Sequence, residues 1–196
     1  MPDANITRAE TAAFIYRLML SGFANNKFEN IFPDVDRNAW YAEAVNYLAS
    51  IDIVLGFPDG SFKPDNPITR AEYATMISKF DNLESGASVA YGDTAGHWAA
   101  GYIGSASAKG WISGYSDGSY QPENNITRAE VVSSVNRMLH RMIMAEDVPG
   151  WAPSYTDLPL DHWAYAAIIE ASIDHDFYLK YPEANSFLEL WKKQQN

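Results

Sequence analysis

The chain has 196 residues, of which 47% are hydrophobic and 14% aromatic, enough to bury a core, and it carries a formal net charge of −11. That charge argues against nucleic acid, which needs a basic surface, because only 14 Lys and Arg residues are present and they are scattered. The absence of cysteine excludes disulfides and thiolate metal sites, and no apolar run approaches the roughly 18 residues of a membrane span.

In chain order, the first element is a helix opened by Thr7. Thr at the cap with Glu three residues later is the capping box, and Ile6-Thr7-Arg8-Ala9-Glu10 carries it, with Ala9, Phe14 and Leu18 at helical spacing. Next comes Phe32-Pro33-Asp34, then Trp40, from which Trp40, Ala44, Leu48 and Ile51 form one apolar stripe and predict a second helix. A Gly56-Phe57-Pro58-Asp59-Gly60-Ser61-Phe62 segment follows, its Asp-Gly pair between aromatics predicting a tight turn, and then Pro64.

The pattern then starts again. Ile68-Thr69-Arg70-Ala71-Glu72 opens a helix with Ala74, Ile77 and Phe80 on its stripe. Tyr91-Gly92-Asp93 leads to Trp98, Gly114-Tyr115-Ser116-Asp117-Gly118-Ser119-Tyr120 repeats the turn, and Ile126-Thr127-Arg128-Ala129-Glu130 opens a third helix with Val131, Val135 and Leu139. Tyr155-Thr156-Asp157 leads to Trp163, Ala167 and Ala171, and Tyr181-Pro182-Glu183-Ala184-Asn185-Ser186-Phe187 is a worn copy of the turn. The arginines lie 62 and 58 residues apart, and Trp40 to Arg70 and Trp98 to Arg128 are each 30 residues, so the motifs belong to one repeated unit in fixed register.

The sequence is therefore read as all-α, built of helix-loop-helix repeats within a single repeat domain, 1–196. Residues 1–30 form the second half of a first repeat, 31–82 a second repeat and 90–142 a third. Residues 154–196 form a terminal half-repeat that complements the first, so the set is circularly permuted at its ends.

Three linked motifs in register, aromatic-x-Asp to Trp, Gly-aromatic-x-Asp-Gly-Ser-aromatic and Ile-Thr-Arg-Ala-Glu, resemble the S-layer homology repeat over nearly the whole chain. The resemblance implies a pseudo-threefold, three-pronged spindle that anchors a larger exported protein to the bacterial cell wall. It also implies binding of secondary cell-wall polysaccharide, often through pyruvylated sugar residues, with other surface-layer subunits as further partners. No enzymatic activity, cofactor or metal is implied. No signal segment begins the chain, so an exported parent is expected to carry its signal elsewhere.

The residues that recur without a packing reason are the candidate ligand-binding set. Arg8, Arg70 and Arg128 sit at the first helical position, where the positive end of the helix dipole disfavours a cation. A guanidinium fork beside free helix-start N–H groups suits a carboxylate; the alternative is an internal pair with Asp34, Asp93 or Asp157. On the ligand reading, alanine at Arg70 or Arg128 weakens binding with little loss of fold, and Arg8 matters less because its groove borrows the worn terminal half. Trp40, Trp98 and Trp163 are either core or sugar platform. Asp34, Asp93 and Asp157 are loop hydrogen-bond acceptors first and groove residues second. Gly56 and Gly114 serve positive φ, close approach of a sugar, or a helix C-cap.

Two further signals fail on inspection. Asp34-Val35-Asp36-Arg37-Asn38 opens like a calcium loop, but Ala39 stands where Gly is required and Val45 where Glu is required. His97 and His162 precede tryptophans while Ala39 precedes Trp40, so no shared metal site follows, and the four histidines lack ligand spacing. A glycoside hydrolase or a protein-interaction scaffold are the rival functions; repetition of one surface argues against the former.

Overall fold

Three threonines open three helices in the computed structural model, which describes residues 1–19, 29–86, 91–180 and 188–192. The elements are α1 (Arg8–Met19), α2 (Ala42–Ser50), α3 (Arg70–Phe80), α4 (Ala100–Ala108), α5 (Arg128–Met138) and α6 (Tyr165–Glu170), then β1 (Phe177–Leu179) and β2 (Glu189–Trp191). The class is all-α, with one antiparallel hairpin in which Phe177 pairs with Trp191 and Leu179 with Glu189. The worn turn, Tyr181 to Phe187, lies outside the described residues.

The helices fall into two compact units. Asn5–Ile126 holds α1 to α4, where α1 packs on α2, α3 on α4, and α1 touches α3. Met1–Ala4 with Thr127–Asn196 holds α5, α6 and the hairpin, where α5 packs on α6. Each Arg-led helix therefore pairs with the Trp-led helix that follows it in sequence.

The expected capping boxes form at all three starts. Thr7 Oγ1 accepts from Glu10 N at 3.1 Å and Glu10 Oε2 accepts from Thr7 N at 3.0 Å. Thr69 with Glu72 and Thr127 with Glu130 repeat both bonds. The next two donors leave the helix altogether. Arg8 N donates to Asn66 O and Ala9 N to Pro64 O; Arg70 N donates to Asn124 O and Ala71 N to Pro122 O; Arg128 N donates to Ala4 O and Ala129 N to Pro2 O. Every early amide of the helix thus has a partner, and the Pro-led segment of another repeat supplies it.

Within the Asn5–Ile126 unit this docking closes on itself. Ile68 N donates to Ile6 O at 3.1 Å, Ile126 N to Ile68 O at 3.0 Å, and Ile6 N to Ile126 O at 3.2 Å. Three buried isoleucines, one from each repeat, share a closed ring of backbone hydrogen bonds. Because water cannot reach these amides, losing one bond leaves two buried polar groups unpaired, each costing about 1–3 kcal/mol.

The apolar stripes end differently from expectation at three points, one of them Ala171, the exposed C-cap of α6. Leu139 is the exposed C-cap of α5, and Ile51, the C-cap of α2, is also exposed; the core side of α2 is Ala42, Ala44, Val45, Tyr47 and Leu48. The loops are pinned from inside by aromatic pairs, Phe32 against Phe62 and Tyr91 against Tyr120, each with centroids 5.4 Å apart.

Those pairs explain Gly56 and Gly114. Neither has positive φ, which belongs to Gly60 and Gly118 at +81° in the turns. A Cβ at Gly56 falls 2.5 Å from the Phe32 ring and 2.9 Å from Ser61 O; at Gly114 it falls 2.4 Å from the Tyr91 ring and 2.5 Å from Ser119 O. Gly56→Ala and Gly114→Ala are each expected to cost about 1–3 kcal/mol by overpacking. Gly86→Ala, with nothing among the described residues within 4 Å of its Cβ, serves as control. Urea unfolding monitored by circular dichroism measures all three, and equal midpoints for Gly114→Ala and Gly86→Ala would refute the packing role.

Candidate functional site

Arg8 leaves the start of α1 and enters the turn of the following repeat. Its Nε donates to Phe62 O at 2.7 Å, Nη2 to Leu55 O at 3.1 Å, and Nη1 to Glu72 Oε1 at 2.6 Å. The guanidinium carbon lies 4.7 Å from the Phe57 ring centre and 4.8 Å from that of Phe62. Arg70 repeats the arrangement one unit on, with Nε on Tyr120 O at 2.8 Å, Nη2 on Ser113 O at 2.9 Å, and Tyr115 and Tyr120 as its rings. Both arginines are buried, at 6% and 4% exposure, whereas Arg128 is exposed.

Three expectations about the arginines change. The helix-start amides are not free, since the Pro-led segments and the capping threonines take them. Arg8 pairs with Glu72, the capping-box acid of the next repeat, and not with Asp34, Asp93 or Asp157. Its groove also uses the intact Gly56 to Phe62 turn, while the worn turn expected there lies outside the described residues. The structural return missing from the sequence is therefore present: burial pulls the Arg8 guanidinium below its ordinary pKa, and Glu72, beside it, opposes that shift.

The aspartates take the first of the roles expected for them. Asp34 Oδ1 accepts from Phe62 N at 2.8 Å and Oδ2 from Lys63 N at 2.7 Å. Asp93 accepts from Tyr120 N at 2.9 Å and Gln121 N at 2.7 Å. Asp157 Oδ2 takes the chain's N-terminal amine at 2.5 Å, and Met1 stands where Lys63 and Gln121 stand in the other repeats. Residues 63 and 121 have φ near +60°, so these carboxylates hold a left-handed backbone corner in place.

The tryptophans lie outside the core. Trp40, Trp98 and Trp163 are 64%, 61% and 60% exposed, and they precede the helices whose stripes they were expected to lead. His97 and His162 brace two of them at centroid distances of 5.4 and 5.8 Å. His97 Nε2 reaches Glu123 Oε1 at 2.6 Å, and His162 Nε2 reaches Asp3 Oδ1 at 3.1 Å.

Two grooves collect these parts. One, of about 660 Å³, brings Arg8, Gly56, Phe57, Glu72, Trp98 and Glu123 together in the Asn5–Ile126 unit. The other, of about 230 Å³, brings Arg128, Tyr155 and Asp157 together in the second unit. A guanidine has five N–H donors, and three of Arg8's are used, so two have no acceptor among the described residues. Glu72 spends one oxygen on Arg8 and the other on Thr69 N, which leaves it unsuited to proton transfer. Sequence reasoning missed Glu72, Phe57, Tyr115 and Glu123; the aromatic recurrence at 57 and 115 was the available signal for two of them.

Arg70→Ala is expected to destabilise the protein by about 1–3 kcal/mol, because it orphans the buried Tyr120 carbonyl and removes a part-buried bond to Ser113 O. Trp98→Ala is expected to stay within about 0.5 kcal/mol of the parent. Chemical denaturation compares the two, and a neutral Arg70→Ala would remove the structural role. Asp93 supplies the pH dependence. The Tyr120 and Gln121 amides hold its pKa below the usual carboxylate value, against partial desolvation. A depressed folded pKa gives stability that is present above the unfolded value, about 3.9, and lost as pH falls through the lowered one. Melting temperature is thus expected to fall below about pH 4 in the parent and less steeply in Asp93→Asn; parallel curves would contradict this.

Comparison with known proteins bears on these motifs directly. Residues 31–74 and 90–132 match the S-layer homology domain. The chain is 40% identical over 185 residues to a cellulosome-anchoring protein of Acetivibrio thermocellus, covering 90% of the chain and 40% of that protein. It is 33% identical over 203 residues to cell surface glycoprotein 1 of the same organism, covering 96% of the chain and 8% of that protein. A surface layer protein of Brevibacillus choshinensis is 36% identical over 103 residues, 50% of the chain and 9% of that protein. The chain thus spans less than half the length of these relatives. With its turn, capping and tryptophan motifs in the register of two matched domains, the chain belongs to the S-layer homology family.

Proposed function

We propose that the chain is a non-catalytic cell-surface anchoring module that binds an acidic secondary cell-wall polysaccharide, pyruvylated in the favoured case. One observation carries this reading. In the larger groove a buried guanidinium keeps two N–H donors without an acceptor among the described residues, while the exposed Trp98 stands on the same groove. A carboxylate-bearing sugar has the two matching surfaces, an anion for the fork and an apolar ring face for the indole. The relatives, a cellulosome-anchoring protein and a surface layer protein, support a location at the cell surface.

On this reading Arg8, Arg70 and Arg128 are ligand contacts, and the first two are structural clasps as well. Trp40, Trp98 and Trp163 are platforms, and Asp34, Asp93, Asp157, Gly56 and Gly114 shape the turns. The pseudo-threefold spindle with a permuted end belongs to the same proposal, supported by the closed ring of Ile6, Ile68 and Ile126.

The test is binding to purified wall glycan with and without its acidic substituents. The parent is expected to lose affinity when the carboxylates are removed. Trp98→Ala is expected to bind tenfold or more weakly, about 1.4 kcal/mol, with an unchanged melting temperature. Equal binding to both glycans would defeat the carboxylate assignment. Binding only to surface-layer subunits would move the function to a protein scaffold, and cleavage of the glycan would make the chain a hydrolase.

A further inference from the structure

A cluster unrelated to the grooves lies in the unit that contains α5, α6 and the hairpin. Glu170 ends α6, His175 lies in the turn beyond it, and Glu189 begins β2. Pairing of β2 with β1 and a bond from Glu189 N to Met142 O bring the third residue to the other two. All three side chains are buried, at 0%, 0% and 1% exposure.

His175 Nδ1 lies 3.1 Å from Ile173 O. A carbonyl only accepts, so Nδ1 carries the hydrogen, and a neutral ring turns the lone pair of Nε2 toward its neighbours. Those neighbours are Glu170 Oε1 and Glu189 Oε2, each at 3.3 Å. Three electron-rich atoms thus face one another without water access, all within 4.8 Å. An imidazolium could bridge them, but charge-assisted hydrogen bonds run to about 2.7–2.9 Å, shorter than either contact. The second oxygen of Glu189, Oε1, is buried and has no hydrogen-bond partner among the described residues. An ion pair confined to this cluster leaves that oxygen unexplained.

A metal ion bound through both oxygens of the Glu189 carboxylate explains both. With bonds of about 2.0–2.1 Å, a tetrahedral zinc site places adjacent ligand atoms about 3.3 Å apart, the separation seen twice here. We propose that Glu170, His175 and Glu189 form a site for one divalent ion of the zinc class, with one histidine nitrogen and two carboxylates as ligands. The supporting shell is the kind such sites use: Trp191 Nε1 donates to Glu170 Oε2 at 2.7 Å, and the Ile173 carbonyl orients the imidazole. Arg141, 3.0 Å from Glu170 Oε1, offsets part of the carboxylate charge, so affinity falls short of a site with no neighbouring cation. Calcium, which takes six to eight oxygens, does not suit three ligands that include a nitrogen. The ion joins α6 to the hairpin, a structural staple in a segment that has no disulfide.

The test uses the whole chain after treatment with a chelator, titrated with Co²⁺ and read by its visible absorption and by metal analysis. One tightly held Co²⁺ per chain with tetrahedral bands, displaced by Zn²⁺ and not by excess Ca²⁺, is the expected result. Zn²⁺ should also raise the melting temperature of the parent protein, a readout that needs no variant. His175→Gln and Glu189→Gln should each weaken Co²⁺ binding by at least about tenfold. Absence of stoichiometric Co²⁺ on the parent, or full retention of it in both variants, would overturn the site. The cluster would then be an imidazolium held between two carboxylates.

Discussion

The structure depends on how each Arg-led helix begins. A helix start has N–H groups that its own backbone cannot satisfy, and here the first two are given to the Pro-led segment of another repeat while the threonine takes the third. That exchange ties the start of one repeat to the interior of the next. At α1 and α3 the arginine side chain strengthens the tie, since it donates to two carbonyls of the neighbouring repeat and lies beside two of its aromatic rings. No repeat can complete its own helix starts or its own aromatic turn, which is why the units fold as an array.

The same constraint positions the candidate site. The guanidinium is fixed by Phe62 O, Leu55 O and Glu72, so on the proposed function it is a rigid support and little entropy would be lost on binding a ligand. The binding surface and the fold then share one residue, and a simple alanine scan cannot separate them. The exposed tryptophans can, because their removal touches no buried bond. On the proposed function, an acidic chain of net charge −11 that holds an acidic glycan also needs its cations placed locally, since the overall field repels the ligand.

What was legible in the sequence was local. The capping boxes needed only Thr and Glu three apart, and the Asp-Gly turns needed only the pair and its flanking aromatics, so α1, α3, α5 and both intact turns sat where the residues placed them. The tryptophans misled because Trp40, Ala44, Leu48 and Ile51 share a helical stripe, yet the helix begins at Ala42 and the ring stands out in water. The purpose of the arginines was hidden because Glu72 lies 64 residues from Arg8 and no local pattern links them. Gly56 looked like a turn or a sugar contact; the ring of Phe32 that excludes a Cβ there comes from a distant loop. The Glu170, His175 and Glu189 cluster has no ligand spacing because a hairpin assembles it.

Native-state hydrogen exchange at the amides of Ile6, Ile68 and Ile126 tests the central claim most directly. If the ring of backbone bonds ties the repeats together, these three amides exchange only through global unfolding, with one shared free energy that falls with denaturant at the global slope. Exchange at unequal rates that ignore denaturant, as at fraying helix ends, would show that each repeat opens alone and would contradict the account.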